Sequence, residues 1–321
     1  MECYIGIDLG STTTKAVVMD EDYNVMGQGI TNSRSNYDIA AGVAKHEALI
    51  DTRFMLFRNA MKNVTALGDK YEAFMDELER NFRLEQYLEQ LIDLDETCTK
   101  ASENTRYSEW GSDLSDALSG VFKRVTTEAP ELFAPGAQRK SDFFRDIAGS
   151  QYSTISEEVA KQAETPFDVL LNIYDRSIIE VENRIYTETT NQNLMRALDR
   201  TLVNLPDLAP VASEVRTEVE KVLGIDLEET YVIGTGYGRA RLPFSKDHIR
   251  SEILCHGLGA HIMYNDTRTV LDIGGQDTKA IQVDKDGIVE SFQMNDRCAA
   301  GCGRYLGYIA DEMNVGLHEL G

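Results

Sequence analysis

Two stretches of the chain alternate apolar and polar residues in the manner of β-strands. Residues 5–20 read IGIDLGSTTTKAVVMD, and residues 269–284 read TVLDIGGQDTKAIQVD. In each stretch a glycine-containing turn separates two runs, and an aspartate-rich turn leads into a third run, at 24–30 or 287–292. A period of two indicates half-buried strands, and tight turns favour Gly and Asp. The pattern therefore predicts two three-stranded meanders.

The two stretches are copies of one another at a constant offset. The matching pairs are Asp8 with Asp272, Gly10 with Gly274, Thr14 with Thr278, Lys15 with Lys279, Asp20 with Asp284, and Asp22 with Asp286. Chance does not readily produce two matched hairpins whose second turns also match. The repeat predicts a duplicated α/β domain.

Between the copies the strand pattern disappears and helical spacing replaces it. Residues 71–94 and 167–185 carry apolar side chains at helical intervals, which predicts amphipathic helices. Prolines and glycines punctuate this region, and we expect its aromatic residues, such as Trp110 and Tyr152, to lie in a core. Residues 43–203 are therefore predicted to form an all-helical insertion.

An α/β pattern returns after the insertion. The sequence predicts a helix at 207–223, a strand at 229–233, a glycine-rich turn at 234–239 (GTGYGR), helices at 249–259 and 304–313, and a loop at 295–303. We expect residues 1–42 and 204–265 to form one domain and residues 266–321 to begin a second. Too little chain follows the second copy to bury both faces of its sheet, so we expect a truncated second domain or one completed by a partner.

Composition excludes several classes of protein. The chain has 321 residues, of which 42% are hydrophobic and 27% charged, as in ordinary globular proteins. A formal net charge of −22 disfavours a general binder of nucleic acid or of anionic membranes. No apolar run approaches the roughly 20 residues of a membrane span, and no basic, apolar leader is visible. Five scattered cysteines do not resemble a disulfide framework, so we expect a cytoplasmic location.

The two hairpins carry candidate chemistry for binding a phosphorylated ligand. Small and hydroxyl residues at a bend can turn backbone N–H groups toward an anion. The aspartate that ends the first strand can hold a hydrated Mg²⁺, and the lysine can contact a phosphate oxygen. Two such hairpins that face each other would hold a triphosphate from two sides. No Walker A motif is present, and the alternative is a pair of structural hairpins without a ligand.

The paired hairpins resemble the two phosphate motifs of the superfamily of acetate kinase, sugar kinases, Hsp70 and actin. This resemblance implies a duplicated, ribonuclease H-like α/β fold. It also implies that Asp8 and Asp272 hold Mg²⁺ through water and that Gln276 and Asp277 lie near the attacking water. The residues it assigns to the nucleotide phosphates are Gly10, Ser11, Thr12, Thr13, Lys15, Gly274 and Gly275.

A second candidate site is the cysteine loop MNDRCAAGCGRYL at 294–306. Cys298 precedes a predicted helix, and the N-terminus of a helix lowers a thiol pKa and favours metal binding. The alternative for Cys298 is a buried structural thiol. The neighbouring Cys302 is a weaker candidate ligand, since a small buried residue also fits its position. We expect His256, beside Cys255, to have a packing role.

Four strings together resemble the BcrA/BcrD and BadF/BadG ATPase family: 234–239, 251–260 (SEILCHGLGA), 270–281 and 294–306. The family implies a [4Fe–4S] cluster that bridges two ATPase subunits, with Cys298 as one ligand. Cys302 departs from the pattern, because the activators of 2-hydroxyacyl-CoA dehydratases usually have Thr there. The second ligand and the adenosine motif would lie beyond residue 321. The long insertion resembles the larger ATPase subunit of benzoyl-CoA reductase.

The resemblance implies an ATP-hydrolysing electron-transfer subunit of ATP-dependent benzoyl-CoA reductase. Its implied cofactors are ATP, Mg²⁺ and the shared cluster. Its implied partners are a homologous ATPase subunit, the catalytic reductase subunits and ferredoxin as electron donor, with no nucleic acid or membrane. One alternative is the activator ATPase of a 2-hydroxyacyl-CoA dehydratase. Others are a cluster-free sugar or acid kinase and an Hsp70-like binding module, for which the cysteine loop has no use.

Overall fold

The computed structural model describes residues 1–33, 36–139, 141, 143–163, 165–242, 244–274, 277–295, 309–310 and 312–313. The strands are β1 (Glu2–Leu9), β2 (Thr13–Met19), β3 (Val25–Asn32), β4 (Glu228–Thr235), β5 (Thr269–Ile273), β6 (Thr278–Val283) and β7 (Val289–Asn295). The α-helices are α1 (Tyr37–Met61), α2 (Tyr71–Ser102), α3 (Gly111–Leu132), α4 (Phe144–Ala160), α5 (Phe167–Val181), α6 (Thr190–Asn204), α7 (Ala212–Leu223) and α8 (Glu252–Met263). Short 3-10 helices cover Thr65–Lys70, Thr105–Tyr107, Pro206–Val211, Arg239–Arg241 and Lys246–His248.

The chain forms two compact units. One consists of Met1–Thr52 and Leu227–Gly321, and the other of Arg53–Asp226. The first unit holds both sheets and the second is helical in its described residues, so the predicted mixed α/β class is confirmed. The insertion and the truncation of the second domain stay predictions.

The first sheet of the first unit has the order β3-β2-β1-β4. Strands β1, β2 and β3 form an antiparallel meander, and β4 joins the edge parallel to β1. Alternate residues of β1 point into the core, where Ile5, Ile7 and Leu9 are almost fully buried. A parallel neighbour requires a long crossover, and here the crossover contains the whole helical unit.

Two glycines of β3 allow α1 to lie directly on this sheet. A Cβ at Gly29 would collide with the backbone of Ala44 and Ala48, and one at Gly27 would collide with the backbone of Ala48 and Thr52. The facing side of α1 is correspondingly small, with Ala40, Ala41, Ala44 and Ala48 buried against the strands. Glycine and alanine together bring the backbones into contact, which the apolar pattern by itself does not indicate.

The second sheet has the order β5-β6-β7 and is fully antiparallel among the described residues. Helix α8 packs on one face, where Ile281 and Val283 of β6 are buried. Gly257 makes this packing close, because an added Cβ would meet Val289 Cγ2 at 2.8 Å and Val283 Cγ1 at 3.1 Å.

The two meanders repeat each other in detail. In the first, the Asp20 carboxylate accepts hydrogen bonds from the backbone N–H groups of Asp22 and Asn24 at 3.0 and 2.8 Å. In the second, Asp284 accepts from Asp286 and Ile288, both at 2.8 Å. Each turn also contains one residue of positive φ at the equivalent place, Tyr23 (63°) and Gly287 (79°). The predicted meanders are confirmed, down to an irregularity of register at the same point of each second pairing.

The second unit is organised around the long helix α2. The predicted helix at 71–94 is confirmed and continues to Ser102, while the predicted helix at 207–223 begins only at Ala212, after the 3-10 turn that contains Pro210. Tyr152 lies in the core as predicted, and the partly buried Trp110 packs against this core. Helices α3, α4 and α5 supply most of the rest of this core, with Tyr107 and Phe133 from the adjoining segments.

Polar side chains also join α2 to α6. Asn81 Nδ2 donates to Thr201 Oγ1 at 2.9 Å, and Arg200 Nε donates to Glu85 Oε1 at the same distance. Asn193 Nδ2 donates to Glu89 Oε2 at 2.7 Å, one helical turn farther along. Because buried polar groups need partners, this ladder fixes which residues of the two helices face each other.

No helix in the described part of the chain combines the length and the apolar character needed to cross a membrane.

Candidate functional site

The first candidate residues lie at the turn between β1 and β2. Asp8 and Lys15 are directly opposite each other in the strand pairing, and Lys15 Nζ lies 3.7 Å from Asp8 Oδ2. The Lys15 side chain is 53% exposed and that of Asp8 is 26% exposed. The lysine therefore borders the aspartate and still reaches solvent, as a residue that contacts a diffusible anion must.

The turn itself is tied down from the end of β3. Ser33 Oγ donates to the Gly10 carbonyl oxygen at 2.6 Å and lies 2.8 Å from Thr14 Oγ1, while the Ser33 N–H donates to the Thr12 carbonyl at 2.8 Å. A Cβ at Gly10 would meet the Thr13 carbonyl oxygen at 2.5 Å, so this bend requires glycine. The predicted phosphate-binding stretch from Gly10 to Thr13 is thus the tight turn between β1 and β2 together with the first residue of β2.

The glycine-rich turn after β4 packs against the same end of β1. Gly236 has a φ of 95°, and a Cβ there would meet Asp8 Oδ1 at 2.5 Å. The Gly238 N–H donates to the Leu9 carbonyl at 2.9 Å. Arg239 donates to the carbonyl of Gly236 at 3.0 Å, within the turn. The turn therefore defines the space around Asp8.

Burial raises the pKa of Asp8 above its ordinary value of 3.8. The charges of Lys15 and His256 act in the opposite direction, and that of Glu252 acts in the same direction as burial. The charges of helix α8 therefore act on the carboxylate of the first hairpin.

The second hairpin repeats the arrangement of the first with one large difference. Asp272 and Lys279 are directly opposite each other, as Asp8 and Lys15 are. Lys279, however, is only 3% exposed, and its Nζ lies 2.9 Å from both Asp277 Oδ1 and Glu252 Oε1 and 3.4 Å from Asp272 Oδ2. Burial alone would lower the pKa of Lys279, but its bonds to Asp277 and Glu252 outweigh burial and raise it.

His256, for which the sequence predicts a packing role, instead forms a hydrogen bond within the site. Its Nδ1 lies 2.8 Å from Asp272 Oδ2. Burial tends to raise the pKa of Asp272, but the hydrogen bond and charge of His256, followed by the charge of Lys279, lower it overall. The available signal was the spacing of Glu252 and His256, four residues apart on one face of a helix. Their partners on β5 and β6 are brought to them only by tertiary packing.

Glu252, His256 and Asp272 could also be considered as metal ligands, since each brings a ligand atom to within 4.8 Å of the other two. The Lys279 ammonium already lies between the two carboxylates, at 2.9 Å from Glu252 and 3.4 Å from Asp272. A positive charge in that place repels a second cation. We therefore interpret these residues as an ion-pair network.

Mg²⁺ fits the partly exposed Asp8 better than it fits the cluster of Glu252, His256 and Asp272. Mg²⁺ prefers carboxylate oxygens and keeps several of its waters. Asp8 is partly exposed beside the loop at 10–13, with the ammonium of Lys15 at 3.7 Å, and its hold on a hydrated ion stays a prediction. For Asp272, the hydrogen bonds of His256 and Lys279 both go to Oδ2.

Several predicted site residues lie outside the described residues. They are Gly275 and Gln276 in the second hairpin turn and Cys298 and Cys302 in the cysteine loop. The predicted helix at 304–313 also lies mostly outside them. Asp277 is described, and its carboxylate is paired with Lys279. Gly274 is close to it, since a Cβ at Gly274 would meet Asp277 Oδ1 at 2.7 Å.

Comparison with known proteins gives a family match along nearly the whole chain and several shorter matches to individual proteins. The profile of the BadF/BadG/BcrA/BcrD ATPase family matches residues 5–321. The (R)-2-hydroxyglutaryl-CoA dehydratase activating ATPase of Acidaminococcus fermentans is 44% identical over 90 residues, 28% of this chain and 34% of that protein. One of the subunits of the benzoyl-CoA reductase of Thauera aromatica is 37% identical over 91 residues, 28% of this chain and 32% of that protein.

A solved structure, the activator of the 2-hydroxyisocaproyl-CoA dehydratase from Clostridium difficile with bound ADPNP, is 40% identical. The match covers 34% of this chain and 41% of that chain, with a TM-score of 0.28. The chain spans about a third of the length of the two curated relatives described above. Because the family profile covers residues 5–321, the chain belongs to the BadF/BadG/BcrA/BcrD ATPase family.

Proposed function

We propose that this protein binds and hydrolyses Mg²⁺-ATP at its two hairpins and couples hydrolysis to electron delivery into an acyl-CoA enzyme. The observation that carries the proposal is the duplicated pairing of Asp8 with Lys15 and of Asp272 with Lys279 in one unit. Membership of an ATPase family supports the same activity.

In this proposal the first hairpin receives the phosphates. Backbone N–H groups of residues 10–13 and the exposed ammonium of Lys15 supply the positive potential that an acidic chain otherwise lacks. Asp8 and Asp272 hold the hydrated Mg²⁺. In the second hairpin, the family resemblance assigns Gly274 and Gly275 to the phosphates and Gln276 and Asp277 to the attacking water.

We propose that the cysteine loop supplies the electron-carrying part of the protein, with Cys298 as a ligand of a [4Fe–4S] cluster shared with a homologous ATPase subunit. When bound, such a cluster supplies a one-electron carrier whose potential depends on exposure and on hydrogen bonds to sulfur. Cys302 is the weaker candidate ligand. Ferredoxin is the proposed donor, and the cytoplasm the proposed location.

Two electron acceptors are candidates, and a different observation favours each of them. The higher identity to the dehydratase activating ATPase, 44% against 37% for the benzoyl-CoA reductase of Thauera aromatica, favours a 2-hydroxyacyl-CoA dehydratase. The long helical region, which resembles that of the larger ATPase subunit, favours the dearomatising benzoyl-CoA reductase. The cluster-free kinase is the third candidate.

Anaerobic purification of the full chain tests the proposal directly. We expect ATPase activity and a broad visible iron–sulfur absorbance, with the absorbance lost in Cys298→Ala and retained in the matched control Cys255→Ala. A colourless wild-type protein that transfers phosphate to a small acceptor would instead identify a kinase. Mixing the protein with purified dehydratase or reductase subunits and assaying dehydration and ring reduction separates the two acceptors.

A further inference from the structure

Helix α8 reaches the second hairpin with two side chains on one face. Glu252 Oε1 lies 2.9 Å from Lys279 Nζ, and one helical turn later His256 Nδ1 lies 2.8 Å from Asp272 Oδ2. Gly257, next to His256, permits the approach, because any larger residue would strike Val289 and Val283. The contact is therefore built into the packing of α8 on its sheet.

Lys279 of the second hairpin is not placed to contact a phosphate in the way that Lys15 of the first hairpin is. Lys15 is 53% exposed, whereas Lys279 is 3% exposed and surrounded by Glu252, Asp272 and Asp277. Lys279 would have to leave three carboxylates to reach a phosphate. The second hairpin thus offers a ligand its carboxylates, while its ammonium acts inside the protein.

The orientation of the Asp272 carboxylate follows from these contacts. Its Oδ2 atom takes both the His256 and the Lys279 hydrogen bonds, from α8 and from β6. A carboxylate held through one oxygen by two donors from different elements loses its rotational freedom, and the second oxygen has a defined orientation. Residues that orient a metal-binding carboxylate in this way influence metal affinity strongly.

We propose that His256 is a positioning residue that orients Asp272 for the Mg²⁺ of a bound nucleotide. The inference rests on the proposed function, because it needs the Mg²⁺-nucleotide that the function supplies. It goes beyond that function by adding α8, a helix outside both hairpins, to the residues that determine metal affinity.

The test compares His256→Ala with His256→Asn in the full chain. The Nδ2 of Asn stands as many bonds from the backbone as the Nδ1 of His, so Asn can keep the hydrogen bond to Asp272, whereas Ala removes it. The measurements are the dissociation constant of a fluorescent ADP analogue without metal and the Mg²⁺ concentration that half-saturates its tighter binding. Leu258→Ala, an exposed position on the same helix, is the matched control.

We expect His256→Ala to raise the half-saturating Mg²⁺ concentration about tenfold or more, the effect typical of lost support around a metal ligand. Metal-free affinity should change less than about threefold, and His256→Asn should return the Mg²⁺ requirement to within about threefold of wild type. If His256→Ala does not fold, His256→Gln, whose donor lies one bond too far out, takes its place and should show the same Mg²⁺ defect.

Two results would overturn the inference. Mg²⁺ requirements that are unchanged in His256→Ala and His256→Gln, with a wild type that binds the analogue normally, would remove His256 and leave the proposed function standing. Equal defects in the Asn and Ala variants would show that the hydrogen bond is not the cause. Failure of the wild type to bind the analogue with or without Mg²⁺ would overturn the proposed function and this inference together.

Discussion

Lys15 and Lys279 occupy equivalent positions in two copies of one hairpin, yet the first side chain is 53% exposed and the second only 3%. The difference comes from helix α8, which brings Glu252 to Lys279 at 2.9 Å. A duplicated motif has therefore acquired one solvent-facing lysine and one internal lysine.

Replacing each lysine by Met should separate these two roles. We expect Lys279→Met to lower the free energy of unfolding by about 2–4 kcal/mol, because partly buried carboxylates lose their shared cation. Lys15→Met should change it by less than about 1 kcal/mol, as expected of an exposed pair. Urea unfolding followed by circular dichroism measures both. Equal losses in the two variants would contradict the division of roles.

The close contact of α1 with β3 predicts an intolerance of side chains at Gly27. Gly27→Ala should cost about 2 kcal/mol or more, because the added Cβ meets backbone atoms that move only with the helix. Gly6→Ala is the matched control in β1, since a Cβ there meets nothing within 4 Å. Thermal unfolding of the two variants side by side tests this, and similar melting temperatures would exclude the close contact.

Gly236 should be required for nucleotide binding through its contact with Asp8. Gly236→Ala introduces a side chain at a φ of 95° and pushes on Asp8 Oδ1, so we expect a stability loss of about 1–2 kcal/mol and at least tenfold weaker Mg²⁺-nucleotide binding. Gly259→Ala, with open space around its Cβ, should leave both unchanged. Fluorescent nucleotide titration provides the comparison; normal binding by a folded Gly236→Ala would count against this role.

The Asp284 turn should contribute stability that depends on pH. Backbone hydrogen bonds from Ile288 and Asp286 hold the pKa of Asp284 below its ordinary value of 3.8. A depressed folded-state pKa means that the contribution is complete above the ordinary value and is lost as pH falls through the lower, folded-state value. The stability difference between wild type and Asp284→Ala should therefore be constant near neutrality and shrink as the pH falls from the ordinary pKa of 3.8 through the lower, folded-state pKa. Urea midpoints measured along a pH series would reveal a constant difference if the turn did not act this way.

Cys98 should be chemically inert in the native protein. Its side chain is fully buried in the core of the helical unit, and burial raises the pKa of its thiol to about 12. Thiolate is the reactive form, so iodoacetamide at neutral pH should leave Cys98 unmodified until denaturant is added. The half-buried Cys255 is the internal comparison and should react first. Peptide mass spectrometry locates the label; rapid native modification of Cys98 would contradict its burial.

Local pattern was sufficient for much of the fold. The period-two alternation around Asp8 and Asp272 located both meanders, since alternate residues of a strand must face opposite sides. The apolar spacing in 71–94 located α2, although its end at Ser102 was missed because the last eight residues, DETCTKAS, are mostly polar and carry little apolar signal. The start of α7 was placed too early, because a 3-10 turn containing Pro210 shares the composition of a helix.

The sequence by itself determined the repeat, the paired aspartates and lysines and the glycines at the tight bends, since all of these depend on residues close together along the chain. Only the tertiary structure decided that His256 bonds Asp272, that Glu252 takes Lys279 out of solvent, and that Gly236 shapes the space around Asp8. Those contacts join different elements. Their geometry depends on how closely helices and turns approach the strands, a property that packing sets and residue spacing does not encode.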